Sequence, residues 1–540
     1  MPIPQHDLAG ALQRVKAGAK NDIVRGAEIS RADRVVLIKR GFLVEIIKGW
    51  YVLTTPQAET GDTTFWHGSF WNFAGTYLNH RFGERYCLSA EHSLDLWTGN
   101  TQTPSQLIVI TGKGGASTIQ LPNRTSLLIY VDRKNLPKDA ESRQGVRVMP
   151  LALALARVSP AAFRNAPANL EIALRLVRVD ELARVLLGNA ASLAAAGRLV
   201  GAFRHCGLIE HADRLAADLD AAGLEFEETD PFDAPPRLPA GILFSSPHVG
   251  RIKAMWRQMS PVVQKLIPRA PKPQKPEAYL KRVNEIYRHD AYHSLSIEGY
   301  QVTPELIARI AAGEWNPELN TTDQAQVNAL AAKGYHAAFQ AVTGSLKKIL
   351  NNKHVGASLA TPAIGEPAPK SGSNRASQAT PLRSQPAPAI IQRDLPDWYR
   401  GLFSPSVQAG LLPAYALAGY RNRPVYIRGS EHIPPPSEAV PELIDTLFEL
   451  LATEASPWAQ AVLGHFFFVY IHPYSDGNGR IGRFILNALL ASGGYPWTVI
   501  RVEHRKAYMD ALEKASVRHD IGDFTRFVAA EMAASAKLKS

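Results

Sequence analysis

Apolar residues follow two different periods along the chain, and the change of period divides it into two regions. In the first 150 residues short apolar runs alternate with polar positions, which is typical of strands mixed with a few helices. Further along, the apolar positions recur every three or four residues, which predicts helices. The predicted helices span 7–17, 22–27, 31–40, 89–96, 249–266, 276–297, a segment from 406 onward, 440–452, 457–470, 480–493, 503–516 and 520–533, with others between 151 and 224. The predicted strands span 42–47, 50–54, 106–110, 117–121, 126–130 and 146–149.

Proline-rich stretches interrupt this pattern and mark the predicted domain boundaries. At 540 residues the chain is too long for one compact core, so we expect several domains. Prolines break the helical composition at 230–247 and again at 268–276. A segment rich in Pro, Ala, Ser and Gly at 353–391 carries little that could pack, which predicts a disordered insertion. The predicted division is a winged-helix domain at 1–56, an α+β and then helical domain at 57–228, a linker with a bridging helix at 229–276, and a helical domain at 277–540.

The composition is that of a globular protein with a basic surplus. Hydrophobic residues make up 46% of the chain and charged residues 20%, while the formal net charge is +11 and the pI is near 9.5. A basic surplus favours anionic partners such as nucleic acid or nucleotides, although a bland basic surface has the same composition. Two cysteines, Cys87 and Cys206, form neither a disulfide framework nor a zinc signature. The N-terminal residues lack a signal-peptide pattern and no apolar run reaches membrane-spanning length, so we expect a cytoplasmic protein without a membrane partner.

The first 56 residues show three short predicted helices followed by a small hairpin. Ser30 is a candidate N-cap for the third helix, whose Val35, Leu37 and Ile38 we expect to face inward. This order of elements is typical of a winged helix, in which a basic helix and the hairpin tip contact DNA. The candidate DNA contacts are Arg31, Arg34, Lys39, Arg40 and, at the hairpin turn, Lys48.

Residues 34–53 also resemble the N-terminal winged-helix domain of antitoxins and regulators of the type IV toxin–antitoxin class. The shared features are a basic helix, a glycine, a hairpin and an aromatic-Tyr-Val-Leu ending. A winged helix can also serve purely as a protein-docking module, so DNA and a protein are both candidate partners of this segment.

The densest chemistry lies in the sequence HPYSDGNGRIGR, which begins at His472. Two glycines flank Asn478 just before a helical run, so consecutive backbone N–H groups can turn toward one anion at a helix N-terminus. Arg480 and Arg483, one turn apart, can hold the outer phosphates of a nucleotide with fork geometry. Asp476 is a candidate Mg²⁺ ligand, and His472 a candidate base that takes a proton from an incoming hydroxyl. The segment therefore predicts nucleotidyl transfer.

This stretch resembles, position for position, the motif H-x-F-x-[DE]-G-N-G-R-x-x-R of the Fic family, except that Tyr474 stands where the family usually has Phe. The resemblance implies a mainly α-helical bundle that follows the α+β N-terminal region of a multidomain chain. It also implies ATP as substrate, Mg²⁺, and a protein hydroxyl as acceptor. Tyr508 matches a frequent nucleotide-contacting position, and Ser516 falls where the family often has Asn. The implied nucleotide-binding residues are Gly477, Asn478, Gly479, Arg480, Ile481, Gly482, Arg483, Tyr508 and Ser516.

Two further segments extend the resemblance. Residues 294–299, SLSIEG, match the Fic inhibitory motif [ST]-x-x-x-E-[GN] at the end of an inhibitory helix expected at 277–299, with Ser294 and Glu298 as its key residues. A carboxylate paired with Arg483 would occupy the guanidinium that should hold the γ-phosphate. Residues 421–435 resemble the Fic flap, a β-hairpin that lines up the target by strand addition. The implied target contacts are Gly429, Ser430, Glu431 and His432.

The leading hypothesis is a protein adenylyltransferase of the Fic type, which moves AMP from ATP to a Ser, Thr or Tyr hydroxyl of a target or of itself and is inhibited by Glu298. The intact Gly477-Asn478-Gly479 argues against the phosphotransferring branch of the family but does not choose the nucleotide. The alternative is a DNA-binding transcriptional regulator or toxin–antitoxin-like protein whose Fic domain uses another nucleotide or removes AMP. The target, the trigger that relieves inhibition and whether the chain forms a homodimer stay open.

Overall fold

The computed structural model describes residues 5–54, 64–188, 193–243, 246–269, 274–312, 323–358 and 385–538. The chain forms two compact units. The first comprises residues 1–257 and 425–435, and the second comprises residues 258–424 and 436–540. Among the described helices, none combines the length and the apolar character that crossing a bilayer would require. The four-domain division expected from the sequence stays a prediction.

The first unit opens with a small three-stranded sheet and two helices. The hairpin turns at Gly49, which has a φ of 80°. Strand order is β1-β3-β2, with both neighbours antiparallel. The elements are α1 Gln5–Gly18, β1 Ile23–Arg25, α2 Arg31–Lys39, β2 Leu43–Ile47 and β3 Trp50–Leu53.

Two expectations for this segment are wrong. The helix predicted at 22–27 is strand β1 followed by the 3-10 turn Gly26–Glu28, because Ile23 and Val24 pair with β3 and are buried in two different core clusters. On α2 Leu37 is buried as expected, together with Asp33 and Val36, whereas Val35 and Ile38 are 54% and 45% exposed. The short helix turns one narrow face inward, and Val35 and Ile38 lie outside that face.

The rest of the α+β region contains a second sheet. Its order is β4-β5-β7-β6, with β5 and β7 parallel and the other pairs antiparallel. The four predicted strands are confirmed with ends that differ by one residue at most, while α3 and β4 were not predicted. The elements are α3 Thr64–Phe82, β4 Tyr86–Leu88, α4 Ala90–Trp97, β5 Gln106–Thr111, β6 Ser117–Gln120, β7 Ser126–Val131 and the paired strands β8 Glu141–Arg143 and β9 Val146–Val148.

The alanine- and leucine-rich stretch that follows is helical, as its pattern predicts. Its apolar faces form one core with α4, which includes Leu155, Phe163 and Leu199. The helices are α5 Leu151–Arg157, α6 Pro160–Asn165, α7 Pro167–Leu176, α8 Val179–Leu187, α9 Leu193–His205 and α10 Ile209–Ala221. Beyond this stretch, α11 Pro247–Lys265 lies where the bridging helix was predicted at 249–266.

The described part of the second unit is built from helices with short connections. The predicted helices at 276–297, 440–452 and 457–470 are confirmed to within one residue at either end. Two helices of this unit, α17 Pro457–Ile471 and α18 Asn478–Gly493, lie in the core. Nearly every side chain along both is buried. The helices are α12 Pro276–Ile297, α13 Pro304–Ala311, α14 Asp323–Ser358, α15 Ala387–Gln408, α16 Val440–Thr453, α17 Pro457–Ile471, α18 Asn478–Gly493, α19 Arg505–Arg518 and α20 Gly522–Ser535.

The insertion predicted at 353–391 is wrong at both ends. Helix α14 continues through Ser358, and α15 begins at Ala387, where Ile390 and Ile391 are buried. The apolar pair at the second end belongs to the core, which overrides the proline-rich composition around it. The middle of the predicted insertion, 359–384, lies outside the described residues. The helix expected to begin at 406 is instead the end of α15.

Candidate active site

The glycine-rich motif forms the turn between α17 and α18. Helix α17 ends at His472, which caps it in the left-handed region with a φ of 53° and donates its backbone N–H to Phe468 O at 3.0 Å. Helix α18 begins after Gly477, whose φ is 83°. Both helices are held in the core, so the side chains on the turn are fixed relative to each other by packing and not by the loop alone.

His472 has one committed ring nitrogen. Its Nδ1 lies 3.1 Å from Val469 O, and because a carbonyl can only accept, Nδ1 carries the hydrogen. The lone pair of the neutral ring is then on Nε2. Burial, aided by the charge of Arg421 and opposed by the Val469 bond, lowers the pKa of His472 to about 4. At neutral pH the ring is therefore uncharged and its Nε2 is a proton acceptor.

Asn478 holds the turn closed. Its Oδ1 accepts from Tyr474 N at 2.9 Å, and its Nδ2 donates to Tyr474 O at 2.8 Å. Both functional groups of the amide are thus used on the backbone of the turn. A direct contact between this side chain and a phosphate, as the sequence suggested, would require these bonds to break.

The start of α18 has a backbone geometry that is typical of anion sites. The first N–H groups of any helix have no partner within the helix, and here they belong to residues 478–480. Gly477 must be glycine, because its φ is positive and a Cβ there would lie 2.8 Å from Phe403 Cε2. A Cβ on Gly479 would collide with Glu298 Oε1, so a side chain there would force this carboxylate to shift. A carboxylate therefore already lies against the turn that the sequence assigns to phosphate.

Arg483 connects this turn to the end of α12. Its Nε donates to Ser294 Oγ at 2.8 Å, and one terminal nitrogen donates to Ser294 O at 3.0 Å and Glu298 Oε1 at 2.7 Å. Burial opposes the charge of Arg483, but the Glu298 carboxylate raises the pKa of the guanidinium above its ordinary value. The structure thus brings together Ser294, Glu298 and Arg483, which lie up to 189 positions apart in sequence.

Arg480 has different partners from Arg483. Its guanidinium donates to Asp476 Oδ2 at 3.0 Å and lies 5.2 Å and 5.1 Å from the ring centres of Tyr300 and Phe403. Its side chain is only 1% exposed, whereas that of Asp476 is 61% exposed. Burial opposes its charge, but Asp476, Tyr300 and Glu298 raise the pKa of Arg480. Asp476 is therefore the solvent-facing end of this pair.

The remaining predicted nucleotide residues are buried. The hydroxyl oxygen of Tyr508 lies 2.8 Å from His465 Nε2, to which it is hydrogen-bonded. Burial raises the pKa of this hydroxyl to about 12. Ile481 has no exposed surface, and Ser516 is buried on α19. Gly482 lies against the ring of His465, whose Nδ1 would be 3.0 Å from a Cβ there. Any contact of Ile481 or Gly482 with a nucleotide would have to use the backbone.

The segment expected to form a β-hairpin flap, 421–435, contains no strand. Prolines interrupt its N–H groups, and a turn joins Ser430 N to Ile427 O at 3.1 Å. Gly429 and Glu431 are exposed, whereas Ser430 and His432 are buried. The four predicted target contacts belong to the first unit, where the neighbouring Ile433 packs against a core cluster.

The predicted DNA contacts lie at the start of the first unit. The guanidinium of Arg34 lies 5.9 Å from the ring centre of Tyr51 and is half-buried. The four exposed members of the set are Arg31, Lys39, Arg40 and Lys48.

Three residues near the motif carry contacts that the sequence did not predict. Tyr300 and Phe403 enclose Arg480, and Arg421 donates its Nε to His472 O at 2.7 Å. Arg421 was within the predicted flap, but no spacing rule connects it to a histidine 51 positions away.

Residues 392–490 match the Fic/DOC family. This span includes most of α15, all of α16 and α17, and most of α18, and it ends before α19.

The chain is similar to proteins of known function over the same region. It is 40% identical over 114 residues to protein adenylyltransferase Fic of Culex quinquefasciatus, a match of 20% of this chain and 22% of that protein. It is 38% identical over 99 residues to a probable protein adenylyltransferase of Aquifex aeolicus, covering 18% of this chain and 30% of that one. The chain thus spans about a quarter of the length of these relatives.

Among solved structures, the chain matches Fic-1 of C. elegans, residues 134–508, at 21% identity and a TM-score of 0.36, covering 69% of this chain and 90% of that chain. A Fic domain containing signalling protein from Bacteroides thetaiotaomicron has 20% identity and a TM-score of 0.32, covering 52% and 93%.

Proposed function

Residues 392–490 form a Fic domain, and from this premise we propose that the protein transfers AMP from ATP to a Ser, Thr or Tyr hydroxyl of a protein. Relatives that share this domain are named protein adenylyltransferases. The single observation that carries the proposal is the state of His472. Its Nδ1 is committed to Val469 O, which leaves the Nε2 lone pair for a substrate proton at the start of α18.

In the proposed reaction His472 Nε2 takes the proton from the acceptor hydroxyl. The hydroxyl oxygen attacks the α-phosphorus, an O–P bond to AMP forms, and the bond to pyrophosphate breaks. His472 then carries the proton as an imidazolium. A pKa near 4 makes His472 a weak base, so most of the rate must come from alignment of the two reactants.

The start of α18 would hold the phosphates. Backbone N–H groups at 478–480 face an anion without reorganisation, which favours the charge that develops on the pyrophosphate oxygens. Arg480 and Arg483 would supply two guanidinium groups one helical turn apart. The hydrogen bond between the buried side chains of Tyr508 and His465 supports a role for Tyr508 in the wall of the nucleotide pocket.

Asp476 fits a magnesium site in which the protein supplies a single carboxylate. In the described part of the chain no three side chains of His, Cys, Asp or Glu converge as a metal cage. Mg²⁺ in nucleotide enzymes is commonly held by one or two carboxylates together with substrate phosphates, and Asp476 is an exposed carboxylate beside the phosphate turn. The ion would neutralise phosphate charge, while Asp476 would orient it from the protein side.

We also propose that Glu298 inhibits the reaction. Its carboxylate bonds to Arg483 at 2.7 Å and lies against Gly479, so it occupies both a guanidinium and part of the turn that the γ-phosphate would need. Nucleotide could then bind only with its α-phosphorus out of line for attack. Ser294 keeps Arg483 in place for this contact.

Labelled ATP tests the proposal. Glu298→Gly protein incubated with ATP labelled on the α-phosphate should label itself or a lysate protein, and ATP labelled on the γ-phosphate should leave no label. The matched control is the Glu298→Gly, His472→Ala double variant, which should bind ATP but transfer nothing. Label from the γ-phosphate, or transfer by the double variant, would contradict the assignment, and α-labelled GTP or UTP in parallel identifies another donor.

Target binding by residues 429–432 is part of the same proposal. Gly429 and Glu431 are exposed, which makes both residues accessible to a target peptide. Glu431→Ala in the Glu298→Gly background should lower labelling of a protein target more than ATP affinity. Equal labelling of the target by both forms would exclude a role for this side chain.

A second proposed activity is DNA binding by the first unit. The observation that favours it is the exposure of Arg31, Lys39 and Arg40 at α2 together with Lys48 at the hairpin tip. The exposed Val35 and Ile38 suit contact with thymine methyl groups in a major groove. The full chain should bind duplex DNA with an affinity that falls steeply with salt, and Lys48→Ala should reduce the salt slope by about one. Binding to DNA that does not change with salt would contradict this proposal.

A further inference from the structure

Arg421 is a buried arginine whose hydrogen bonds converge on the end of α17. Its side chain is 4% exposed, its Nε donates to His472 O at 2.7 Å, and its two terminal nitrogens donate to Arg423 O at 3.2 Å and Ile471 O at 3.4 Å. Its backbone N–H donates to Pro473 O at 2.9 Å. One residue thus contacts the backbone on both sides of His472 and at His472 itself.

The end of α17 needs such a partner. The last carbonyl groups of a helix have no N–H to accept from within the helix, and buried carbonyls without partners are costly. His472 adds a left-handed conformation, which is unfavourable for a residue other than glycine. A cation at the C-terminus of a helix satisfies the carbonyls and is favoured by the helix dipole. The planar fork of arginine can reach several carbonyls at once, which the single ammonium of lysine cannot do.

The ring of His472 is fixed at the other end by Val469 O. The backbone dihedral angles of His472 therefore decide whether Nε2 can reach a substrate hydroxyl. Tyr420 adds a contact from the same segment, since its ring centre lies 5.5 Å from that of Tyr474 on the turn. Residues 420 and 421, which lie outside the motif, thus both contact the turn.

We propose that Arg421 is a positioning residue for transfer: its hydrogen bonds to the backbone at 471–473 hold His472 in the left-handed conformation that aims Nε2 at the acceptor hydroxyl. The inference rests on the proposed function. Arg421 contacts neither the hydroxyl nor the phosphates in this account and acts only through His472.

The charge of Arg421 gives the role a measurable signature. Burial is the main cause of the low pKa of His472, and Arg421 lowers it further, while Glu298 and Asp476 raise it. These are the charged groups that face the ring from α12, the turn and the segment before residue 425. With Glu298 replaced by glycine, Arg421 and Asp476 are the two that remain. Loss of the Arg421 charge should therefore raise the pKa of His472 and move the acidic limb of the pH–rate profile upward.

The test uses the full chain with Glu298→Gly as parent, and adds Arg421→Gln or Arg421→Lys. The charge-matched control is Arg526→Gln, which removes an exposed arginine paired with Asp523 on α20. The measurements are kcat and KM for ATP with α-labelled nucleotide from about pH 3.5 to 8, so that the range includes the acidic limb, and thermal unfolding. Arg421→Gln should lower kcat about a hundredfold, because a misplacement of about 1 Å has that effect. It should leave KM for ATP within about twofold and shift the acidic limb upward by about one pH unit, a typical effect of a charge at short range.

Arg421→Lys separates position from charge. It should retain the acidic limb of the parent, because the charge stays, but lose at least tenfold in kcat, because the fork is gone. A parent without any transfer refutes the proposed function and not this inference. With an active parent, the inference is overturned if a folded Arg421→Gln protein keeps kcat within twofold or loses only ATP affinity. If Arg421→Gln does not fold, a Lys variant with the kcat of the parent overturns it equally.

Discussion

Removal of the Glu298 carboxylate should release transfer by an amount that follows from its contact with Arg483. The bond between Arg483 and Glu298 Oε1 is 2.7 Å long, and the Arg483 side chain is 4% exposed while that of Glu298 is 25% exposed. A hydrogen bond to a charged group contributes about 1.5–3 kcal/mol, and partial exposure of Glu298 favours the lower half of that range. Each 1.4 kcal/mol is tenfold, so Glu298→Gly should raise the rate about tenfold to fortyfold.

The assay is the initial rate of self-labelling from α-labelled ATP at saturating nucleotide. Glu298→Gln should give an intermediate rate, because the amide oxygen can still accept from Arg483 but carries no charge. The matched control is Glu305→Gln, which removes an exposed carboxylate at the start of α13 and should leave the rate unchanged.

The order of rates is the decisive result. Glycine should exceed glutamine, and glutamine should exceed the unmodified chain. If Glu298→Gly binds ATP and remains folded but labels no faster than the unmodified chain, the contact with Arg483 does not control transfer. If glutamine and glycine release transfer equally, charge is the whole effect and occupation of the turn beside Gly479 contributes nothing.

Three further predictions concern the surroundings of the turn. Asn478→Ala removes two hydrogen bonds to the backbone of Tyr474 and should lower the free energy of unfolding by about 1–3 kcal/mol. It should lower kcat more than it changes KM, and an unchanged kcat would show that these two hydrogen bonds do not position the turn for transfer. Burial raises the pKa of Asp290 to about 6, so the folded state holds a proton that the unfolded state releases and stability falls as the pH rises from about 4 to 6. Asp290→Asn should remove up to about 3 kcal/mol of that dependence in denaturant titrations, and a difference from the unmodified chain that stays constant with pH would contradict it. Tyr474→Phe keeps the ring stacked on Tyr399 at 3.8 Å and should change transfer less than twofold.

The sequence determined the local elements around the site. Helices α12, α16 and α17 were predicted to within one residue at either end, because apolar spacing, prolines at the first turn and the residues that follow each helix specify them locally. The turn at 472–483 was equally predictable, since its two glycines and its helix start depend on near neighbours. Helix α3 was missed because aromatic residues such as Trp66, Phe70 and Phe73 are buried on it without a clear polar stripe.

Only the tertiary structure decided which side chains act on the turn. The contact of Glu298 with Arg483 spans 185 positions and that of Arg421 with His472 spans 51, and neither distance follows from a helical or strand period. The sequence named Glu298 through a family motif, but it gave Arg421 no role and expected a hairpin where 421–435 form none. Burial is the physical reason for this division. Hydrogen bonds within a turn depend on adjacent residues. The pKa and the orientation of the His472 ring depend instead on which charges and carbonyl groups the fold buries beside it.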